Sequence, residues 1–363
     1  MTTSPIPQST ADTTVLVTGG SGYLGGHTLV RLLSEGYRVR TTVRSQERGA
    51  DVTSMLEEAG LAPAGRLDVI VADLASDNGW VEATQGIDYV LHVASPFPAV
   101  ISDNDDDVIV PARDGTLRVL RAARDAGVKR VVMTSSFAAI GYSRKPGDSY
   151  TEEDWTDPAD DNTAYIRSKV VAERAAWDFI DAEGGSLQLS VINPTGIFGP
   201  LLDDHLSSSI GLVKSMLDGA MPAVPRVFFG VADVRDVADM HVLAMTDPAA
   251  AGERFIATGN SLRSFFDIAL TLREHLGEDG KRLPTIELTD HQMLEMAKTS
   301  PALNEAVTQL GRHLVISNNK AKMILGWSPR TTERTIIDTA DSLMSRHLLS
   351  ARNQEGPAWS SQA

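Results

Sequence analysis

The sequence predicts a doubly wound parallel α/β sheet followed by a smaller, mostly helical region. Short apolar segments alternate with segments of helical periodicity before Gly199, a glycine-rich turn follows the first strand, and the alternation weakens after Gly199. Strands that are apolar along their whole length are typical of a parallel sheet that helices cover on both faces. The 363 residues suffice for one large domain or two fused ones.

The first strand and helix are the clearest elements. Val15, Leu16 and Val17 form an apolar run, and leucines then recur at helical spacing from Leu24 to Leu33. Later apolar segments of strand length are LDVIVADL, DYVLHVAS, RVVMTSS, QLSVINPTG and ERFIAT. Between them, VIVPARDGTLRVLRAARDAG and the segment around Tyr165 show helical patterns. This alternation predicts a sheet whose strands are joined by helices.

We expect the chain to form two domains with disordered ends. A dinucleotide-binding domain is predicted over residues 13–199, and a substrate-binding domain over most of residues 200–348. Part of residues 226–258 is expected to return to the first domain. The polar ends, residues 1–12 and 349–363, are predicted to be disordered.

Composition excludes several classes of protein. The chain has no cysteine, so it forms neither disulfides nor thiolate metal sites. Its formal net charge of −15 disfavours nucleic-acid binding, which needs a basic surface. Asp105–Asp107 lack the alternating spacing and central glycine of a calcium loop, so no metal is expected. Because there is no run of about 18 apolar residues and no signal-peptide pattern, we expect a cytoplasmic protein that binds no membrane.

The segment VTGGSGYLGG places Gly19, Gly22 and Gly25 between the first strand and the first helix. Glycine permits the positive φ of a tight turn and lets the backbone approach a pyrophosphate closely. The start of the helix then offers free N–H groups and a partial positive charge to the phosphates. In this context the glycines predict a Rossmann-type dinucleotide site, and the alternative is a purely structural turn.

The end of the second strand indicates which dinucleotide binds. NAD-binding folds commonly place an acidic residue there to accept the ribose hydroxyls, whereas this chain has Arg44 and Ser45. A guanidinium binds a phosphate through two parallel hydrogen bonds and stacks on adenine. The pattern therefore predicts NADP(H), unless Arg44 is only an exposed strand end.

Two later strand ends supply further candidate cofactor contacts. Asp73 could accept a hydrogen bond from the adenine amino group or simply cap a helix, and both roles stay open. Leu74 could pack on the adenine ring. The segment HVASPF ends the fourth strand near the centre of the sheet, which predicts Val93, Ala94 and Ser95 beneath the cofactor.

Tyr165 and Lys169 are four residues apart on a predicted helix, so their side chains share one face. A free tyrosine has a pKa of about 10, which is too high for acid–base exchange near neutral pH. A fixed ammonium beside it stabilises the phenolate and lowers that pKa. The fifth strand ends in Ser135 and Ser136. Tyr165 is therefore either a proton donor whose acidity a fixed cation tunes or one member of an ordinary amphipathic pair.

The motifs TGGSGYLG, ADL, TSS and YIRSK together resemble those of the extended short-chain dehydrogenase/reductase superfamily. Within it, TVRS, HVASPF, TSSFAAIGY, EEDWTDP and NPTGIFGP are similar to the dihydroflavonol reductase, cinnamoyl-CoA reductase and microbial carbonyl (aldehyde) reductase group. The likeness extends from about Thr14 to about Leu348 and is strongest before Pro200.

The resemblance implies roles for individual residues. Tyr165 is the proton donor, Lys169 is its partner, and Ser136 rather than Ser135 is the catalytic serine. The resemblance also places Pro194 near the nicotinamide and either Ser208 or Ser209 near the phosphates. The remaining expected cofactor contacts, beside the matched motifs, are Tyr23, Leu24 and Thr134.

We expect an NADPH-dependent carbonyl reductase that reduces a hydrophobic or aromatic aldehyde or ketone, with its pocket where the smaller domain meets the strand ends. The expected pocket residues are Ser95, Phe97, Ser136, Phe137, Tyr165 and Ile197. Phe137 stands where plant flavonoid enzymes have a small residue, and LLDDHLSSS lacks markers of a flavonoid or CoA-ester site. A flavonoid substrate is therefore not expected. The superfamily includes monomers and dimers, and we expect a homodimer.

Two other kinds of enzyme and one non-enzyme are alternatives. A sugar-nucleotide epimerase or dehydratase would recycle a tightly held NAD⁺, which Arg44 disfavours. A hydroxysteroid dehydrogenase shares the tyrosine–lysine chemistry, and turnover of hydroxysteroids alone with NAD⁺ would identify it. Non-catalytic nucleotide sensors often lack the tyrosine or the lysine, both of which this chain retains.

Replacing Arg44 by alanine is expected to remove the preference for NADPH, because the guanidinium that binds the extra phosphate is gone. The measurement is the loss of nicotinamide absorbance with NADPH or NADH over a panel of aromatic and aliphatic carbonyls. We expect the wild type to oxidise NADPH much faster than NADH and the variant to oxidise both at similar rates. Absence of oxidation of either cofactor would contradict the reductase interpretation, and bound NAD⁺ and a nucleotide sugar would then be sought.

Overall fold

Seven parallel strands form the central sheet of this computed structural model, which describes residues 10–63, 65–96, 104–299, 303–312 and 314–350. The strands of all the sheets in the described chain, in chain order, are β1 (Thr14–Thr18), β2 (Arg38–Val43), β3 (Leu67–Val71), β4 (Tyr89–His92), β5 (Arg130–Thr134), β6 (Ser149–Tyr150), β7 (Gln188–Pro194), β8 (Gly196–Phe198), β9 (Ala223–Pro225), β10 (Phe228–Asp233), β11 (Arg254–Ala257), β12 (Leu262–Ser264), β13 (Ile286–Leu288) and β14 (Val315–Ile316). The central sheet has the order β11-β7-β5-β4-β1-β2-β3, and every neighbouring pair in it is parallel.

Helices cover both faces of this sheet. The α-helices are α1 (Tyr23–Ser34), α2 (Gln46–Glu58), α3 (Trp80–Thr84), α4 (Asp106–Asp125), α5 (Ala164–Glu183), α6 (Ser208–Leu217), α7 (Val234–Thr246), α8 (Phe265–Leu276), α9 (Asp290–Ala297), α10 (Asn304–Thr308), α11 (Asn319–Leu325) and α12 (Thr332–Ser345). Val15 and Val17 of β1 pack with α1 and α7 on one face, and Leu16 packs with α4 and α5 on the other. Alternate residues of a strand point to opposite faces, so a continuous apolar run suits a strand that is buried on both.

A further apolar cluster lies beside the central sheet. Strands β8, β10 and β12 make a three-stranded sheet, and residues of α6, α8 and α12 pack with it. Two short parallel pairs, β13 with β9 and β14 with β6, complete the strands of the described chain. Among the described residues, no helix is both long enough and apolar enough to cross a membrane.

The structure confirms the predicted doubly wound parallel sheet and the helical character of the later part of the chain. Strand β11, which contains most of ERFIAT, is the edge strand of the central sheet, and α7 packs against α1. Both lie within residues 226–258, part of which was expected to return to the first domain. The domain boundaries themselves stay a prediction, and residues 1–9 and 351–363 lie outside the described part of the chain.

A buried arginine on β5 fixes α7 to the central sheet. Arg130 is 5% exposed, and its Nη1 donates to the carbonyl oxygens of Ala244 at 2.7 Å and Asp247 at 2.6 Å. Its Nη2 donates to Oε1 of Gln188 on β7 at 2.8 Å. The last carbonyls of a helix have no partner within the helix, and a cation there also interacts favourably with the helix dipole. Arg130 therefore satisfies groups that would otherwise be buried without a hydrogen bond.

We expect Arg130→Met to lower the free energy of unfolding by about 2–4 kcal/mol, because it leaves buried carbonyl oxygens unsatisfied. The matched control is Arg38→Met on the exposed start of β2, which should change that free energy by less than about 0.5 kcal/mol. Urea unfolding followed by circular dichroism measures both. Equal stability of the two variants would show that the buried hydrogen bonds of Arg130 contribute nothing.

Candidate active site

The glycine-rich turn connects β1 to α1 in the geometry expected of a phosphate-binding loop. Gly19 has a φ of +74°, which side chains other than hydrogen rarely tolerate. The N–H of Gly22 donates to the carbonyl oxygen of Gly19 at 3.0 Å and closes the turn. Gly22 precedes the first residue of α1 and supplies no capping side chain, so the helix start presents backbone N–H groups. A Cβ on Gly25 would overlap the carbonyl oxygen of Gly19.

The end of β4 lies against this turn. The backbone N–H of Ala94 donates to Oγ1 of Thr18 at 3.0 Å, and Thr18 also bonds to Nδ1 of His92 at 2.9 Å. A Cβ on Gly19 would meet the Cβ of Ala94 at 3.0 Å. Burial lowers the pKa of His92 from 6.5 to about 4, with a further contribution from the Lys169 ammonium. His92 is therefore neutral at physiological pH, and Ala94 is held directly beside the turn.

Arg44 and Asp73 follow the strands on the other side of the turn. Arg44 comes directly after β2 and is exposed. The Oδ1 atom of Asp73 accepts a hydrogen bond from the backbone N–H of Ala75 at 2.8 Å, so its carboxylate stabilises a local turn. The neighbouring Leu74 is half-buried and packs beside Gly115 of α4. The predicted contacts of Asp73 and Leu74 with adenine stay predictions.

Tyr165 and Lys169 occupy the first two turns of α5, whose N-cap is Thr163. The Lys169 Nζ lies 5.6 Å from the centroid of the Tyr165 ring and donates to Oγ of Ser95 at 2.8 Å. Tyr165 is 37% exposed. Surrounding protein atoms desolvate the ammonium, and this lowers the pKa of Lys169 from 10.5 to about 8, while Glu173 acts in the opposite direction. The predicted pair is therefore adjacent, with its phenol open to solvent.

Ser136 begins the short turn that follows β5. Its Oγ accepts a hydrogen bond from the N–H of Ala138 at 3.1 Å, and its carbonyl oxygen accepts one from Nδ2 of Asn193 at 3.1 Å. The preceding Ser135 is buried, and its hydroxyl donates to Glu173 on α5. Ser136 is half-buried, and the choice of Ser136 rather than Ser135 as the catalytic serine stays a prediction.

The hydroxyl of Thr134 is directed toward α7. His241 Nδ1 lies 2.7 Å from the carbonyl oxygen of Val237, which can only accept, so the other ring nitrogen, Nε2, accepts from Thr134 Oγ1 at 2.7 Å. Burial lowers the pKa of His241 to about 4. The hydroxyl proton of Thr134 is thus used within the protein, and the predicted contact of Thr134 with a cofactor stays a prediction.

The remaining predicted residues lie at several depths. Pro194 is buried at the end of β7, Ile197 is half-buried on β8, and Ser209 is half-buried in the first turn of α6. Phe137 is 6% exposed, and its ring packs edge-on against Tyr150 at 6.0 Å in a separate apolar cluster. This packing leaves little of the ring free to line a pocket, so its role there stays a prediction.

Other predicted contacts are Tyr23, half-buried, and Leu24, buried, at the start of α1, and Val93, half-buried after β4. Phe97 lies outside the described residues.

Three polar residues near the predicted site were not identified from the sequence. Glu173 is fully buried on α5, Asn193 is fully buried near the end of β7, and Arg254 is 7% exposed on β11. Their hydrogen bonds join parts of the chain that are far apart in sequence, such as Glu173 and Arg254. One signal was available: Glu173 is four residues after Lys169, so it lies on the face of the helix that carries the predicted pair.

Residues 15–257 match the profile of the NAD dependent epimerase/dehydratase family. The chain belongs to this family. Cinnamoyl-CoA reductase CAD2 of Medicago truncatula is 32% identical over 314 residues, which cover 82% of this chain and 95% of that protein. NADPH-dependent methylglyoxal reductase GRE2 of Saccharomyces cerevisiae is 31% identical over 354 residues, which cover 91% and 98%. The crystal structure of yeast methylglyoxal/isovaleraldehyde reductase Gre2 complexed with NADPH aligns with a TM-score of 0.76 at 27% identity, covering 92% of this chain and 99% of that one.

These comparisons confirm the resemblance inferred from the motifs. The chain is an extended short-chain dehydrogenase/reductase, and its relatives include members of the cinnamoyl-CoA reductase and microbial carbonyl reductase group. The aligned lengths cover nearly the whole of each relative, so the likeness includes the later part of the chain as well as the central sheet.

We expect Gly25→Ala to weaken the binding of a nicotinamide dinucleotide at least about tenfold, because the added methyl displaces the Gly19 carbonyl and opens the turn. Gly211→Ala on α6 is the matched control, since a Cβ there has no neighbour within 4 Å. Isothermal titration with NADPH measures the dissociation constant of both variants. Unchanged affinity in Gly25→Ala would mean that the turn does not bind the dinucleotide.

Proposed function

We propose that this protein is an NADPH-dependent carbonyl reductase that reduces a hydrophobic or aromatic aldehyde or ketone to an alcohol. The observation that carries the proposal is the Lys169 ammonium 5.6 Å from the ring of an exposed Tyr165, with Ser136 at the end of the neighbouring β5. This arrangement puts an acid, a cation and a hydroxyl at the carboxyl edge of the sheet, where ligands of such folds bind.

The residues at that edge fit a nicotinamide dinucleotide. The open start of α1 would offer its backbone N–H groups to a pyrophosphate. Gly25 lets the turn fold back closely on the helix, because a Cβ there would overlap the Gly19 carbonyl oxygen. The exposed Arg44 guanidinium would bind the phosphate that distinguishes NADPH from NADH. The similar yeast methylglyoxal reductase is NADPH-dependent, and the aligned yeast Gre2 structure is a complex with NADPH. When bound, the reduced nicotinamide supplies a hydride.

Tyr165 is the proton donor in this proposal. As the carbonyl carbon gains a hydride, its oxygen becomes alkoxide-like and takes the phenolic proton, which leaves a phenolate on Tyr165. The positive charge of the Lys169 ammonium stabilises that phenolate. The hydroxyl of Ser136 orients the carbonyl oxygen and stabilises its developing negative charge. A proton from solvent then restores the phenol through its exposed side.

The substrate would lie between the strand ends and the elements that follow Gly199. Ile197 is half-buried on β8, Ser95 is exposed after β4, and Tyr165 is open to solvent, so these residues can border a cleft. The apolar side chain of Ile197 favours a hydrophobic carbonyl compound. We also propose that residues 13–199 are chiefly the cofactor-binding part, that most of residues 200–348 form the substrate-binding part, and that the protein is a homodimer.

We expect Tyr165→Phe to lower kcat about 10²- to 10⁴-fold, because the variant lacks the proton donor. The affinity for NADPH should change little, since the ring and Lys169 remain. Steady-state reduction of an aromatic aldehyde measures kcat, and titration of intrinsic fluorescence measures NADPH binding. The matched control is Tyr89→Phe at the opposite end of the sheet, which should retain wild-type kcat. Wild-type kcat in Tyr165→Phe would exclude the proposed acid.

A further inference from the structure

Glu173 is a buried acidic residue on the helix that carries the predicted catalytic pair. It lies one helical turn after Lys169 and two turns after Tyr165, and none of its surface is exposed. An acidic side chain is almost never fully buried unless it is paired. The hydrogen-bond partners of Glu173 therefore account for its burial.

Donors from three strands surround the Glu173 carboxylate. Ser135 Oγ, just after β5, donates to Oε2, and Nδ2 of Asn193 on β7 donates to the same atom at 2.7 Å. Arg254 on β11 donates from Nε to Oε1 at 2.6 Å. Each partner is a donor, which is what an ionised carboxylate requires. The side chain thus ties α5 to three neighbouring strands of the central sheet.

The same contacts fix the predicted catalytic serine. Nδ2 of Asn193 donates to the carbonyl oxygen of Ser136 at 3.1 Å as well as to Glu173, and Ser135 is adjacent to Ser136 in the chain. Arg254 is held in turn by the carbonyl oxygens of Glu152 at 2.7 Å and Asp154 at 2.8 Å. One network therefore sets the position of α5 relative to the strand end that bears Ser136.

We propose that Glu173 is a positioning residue of the active site, which aligns the Tyr165–Lys169 pair with Ser136 and keeps a negative charge one turn from Lys169. The expected effect of Glu173 on turnover rests on the carbonyl reductase function proposed above. The expected effect of Glu173 on the protonation of Lys169 does not depend on any reaction.

The charge of Glu173 has a consequence for the protonation of Lys169. Desolvation lowers the pKa of Lys169 to about 8, and Glu173 raises it against that effect. Among the described residues, Tyr165 on α5 and His92 on β4 are the other titratable groups that interact with Lys169, and His92 is neutral because its own pKa is about 4. Arg254 lies beyond Glu173 and is paired with it. Loss of the carboxylate would lower the pKa of Lys169 further, so that it loses its proton at a lower pH.

Two substitutions break the ion pair from opposite ends. In Glu173→Gln the negative charge near Lys169 is gone, so we expect the alkaline limb of kcat/KM to move to lower pH by about one unit. The value of kcat should fall about tenfold, because misalignment of the catalytic groups raises the activation barrier. In Arg254→Met the carboxylate remains, so the alkaline limb should stay in place or move to higher pH. Both variants should lose thermal stability, because each leaves a buried group without its partner.

A second readout does not require turnover. Trace acetylation of Lys169 over a range of pH, quantified by peptide mass spectrometry without cofactor, reports the fraction of free amine. The midpoint is expected near the pKa of about 8 in the wild type and about one unit lower in Glu173→Gln. Glu152→Gln is the matched control, since Glu152 is also buried but accepts from the N–H of Ile256 on β11. That control should keep the wild-type midpoint.

The outcomes separate this inference from the proposed function. A wild type that reduces no carbonyl contradicts the function, and the acetylation midpoints then still test the effect of Glu173 on Lys169. An active wild type whose alkaline limb and midpoint are the same in Glu173→Gln overturns the inference, because a purely structural role would lower stability and leave both unchanged. If Glu173→Gln does not fold, Glu173→Asp replaces it. Glu173→Asp keeps the negative charge, but its side chain is shorter by one methylene. A wild-type acetylation midpoint of Lys169 together with a lowered kcat would support the positioning role, and a wild-type kcat would contradict it.

Discussion

The candidate site depends on one constraint, which is that all seven strands of the central sheet run in the same direction. Parallel strands bring their carboxyl ends to one edge, so segments that follow different strands meet there even when they are far apart in sequence. Strand β1 lies between β4 and β2, and the chain proceeds outward from it in both directions. The glycine turn after β1 therefore lies at the point where the strand order reverses, and a crevice forms beside it.

The second requirement is that a surface helix be held in one register on that sheet. Apolar packing alone tolerates small shifts of a helix, because many aliphatic contacts are similar in energy. The buried Glu173–Arg254 pair has no such tolerance, since a displaced carboxylate would leave buried donors without a partner. The ring of Trp155 lies 3.8 Å from the Arg254 guanidinium carbon and covers it. Polar burial of this kind adds little net stability, and in the role proposed for Glu173 it favours one position of α5 over its neighbours.

The sequence allowed the strands, the glycine turn and the tyrosine–lysine pair to be predicted because each depends on residues close together in the chain. A strand needs a few consecutive apolar residues, and the Tyr165–Lys169 contact needs only one helical turn. The partners of Glu173 could not be predicted in this way, since Ser135, Asn193 and Arg254 follow from the order of the strands in the sheet. Phe137 illustrates the same limit. Its ring packs edge-on against Tyr150, and that contact depends on how β6 lies in the fold rather than on the residues beside Phe137 in the chain.

The electrostatics of the site are local and differ from those of the whole chain. The chain carries a formal net charge of −15, but the predicted proton donor has a desolvated ammonium beside it. Histidine would be the usual source of a bend in a pH profile near neutrality. Here burial lowers the pKa values of His27, His92 and His241 to about 4, so none of the three changes charge in that range. Under the proposed function, a change of activity between neutral and mildly alkaline pH is therefore expected from Lys169, whose pKa burial lowers to about 8, and the proposed role of Glu173 is to oppose that lowering.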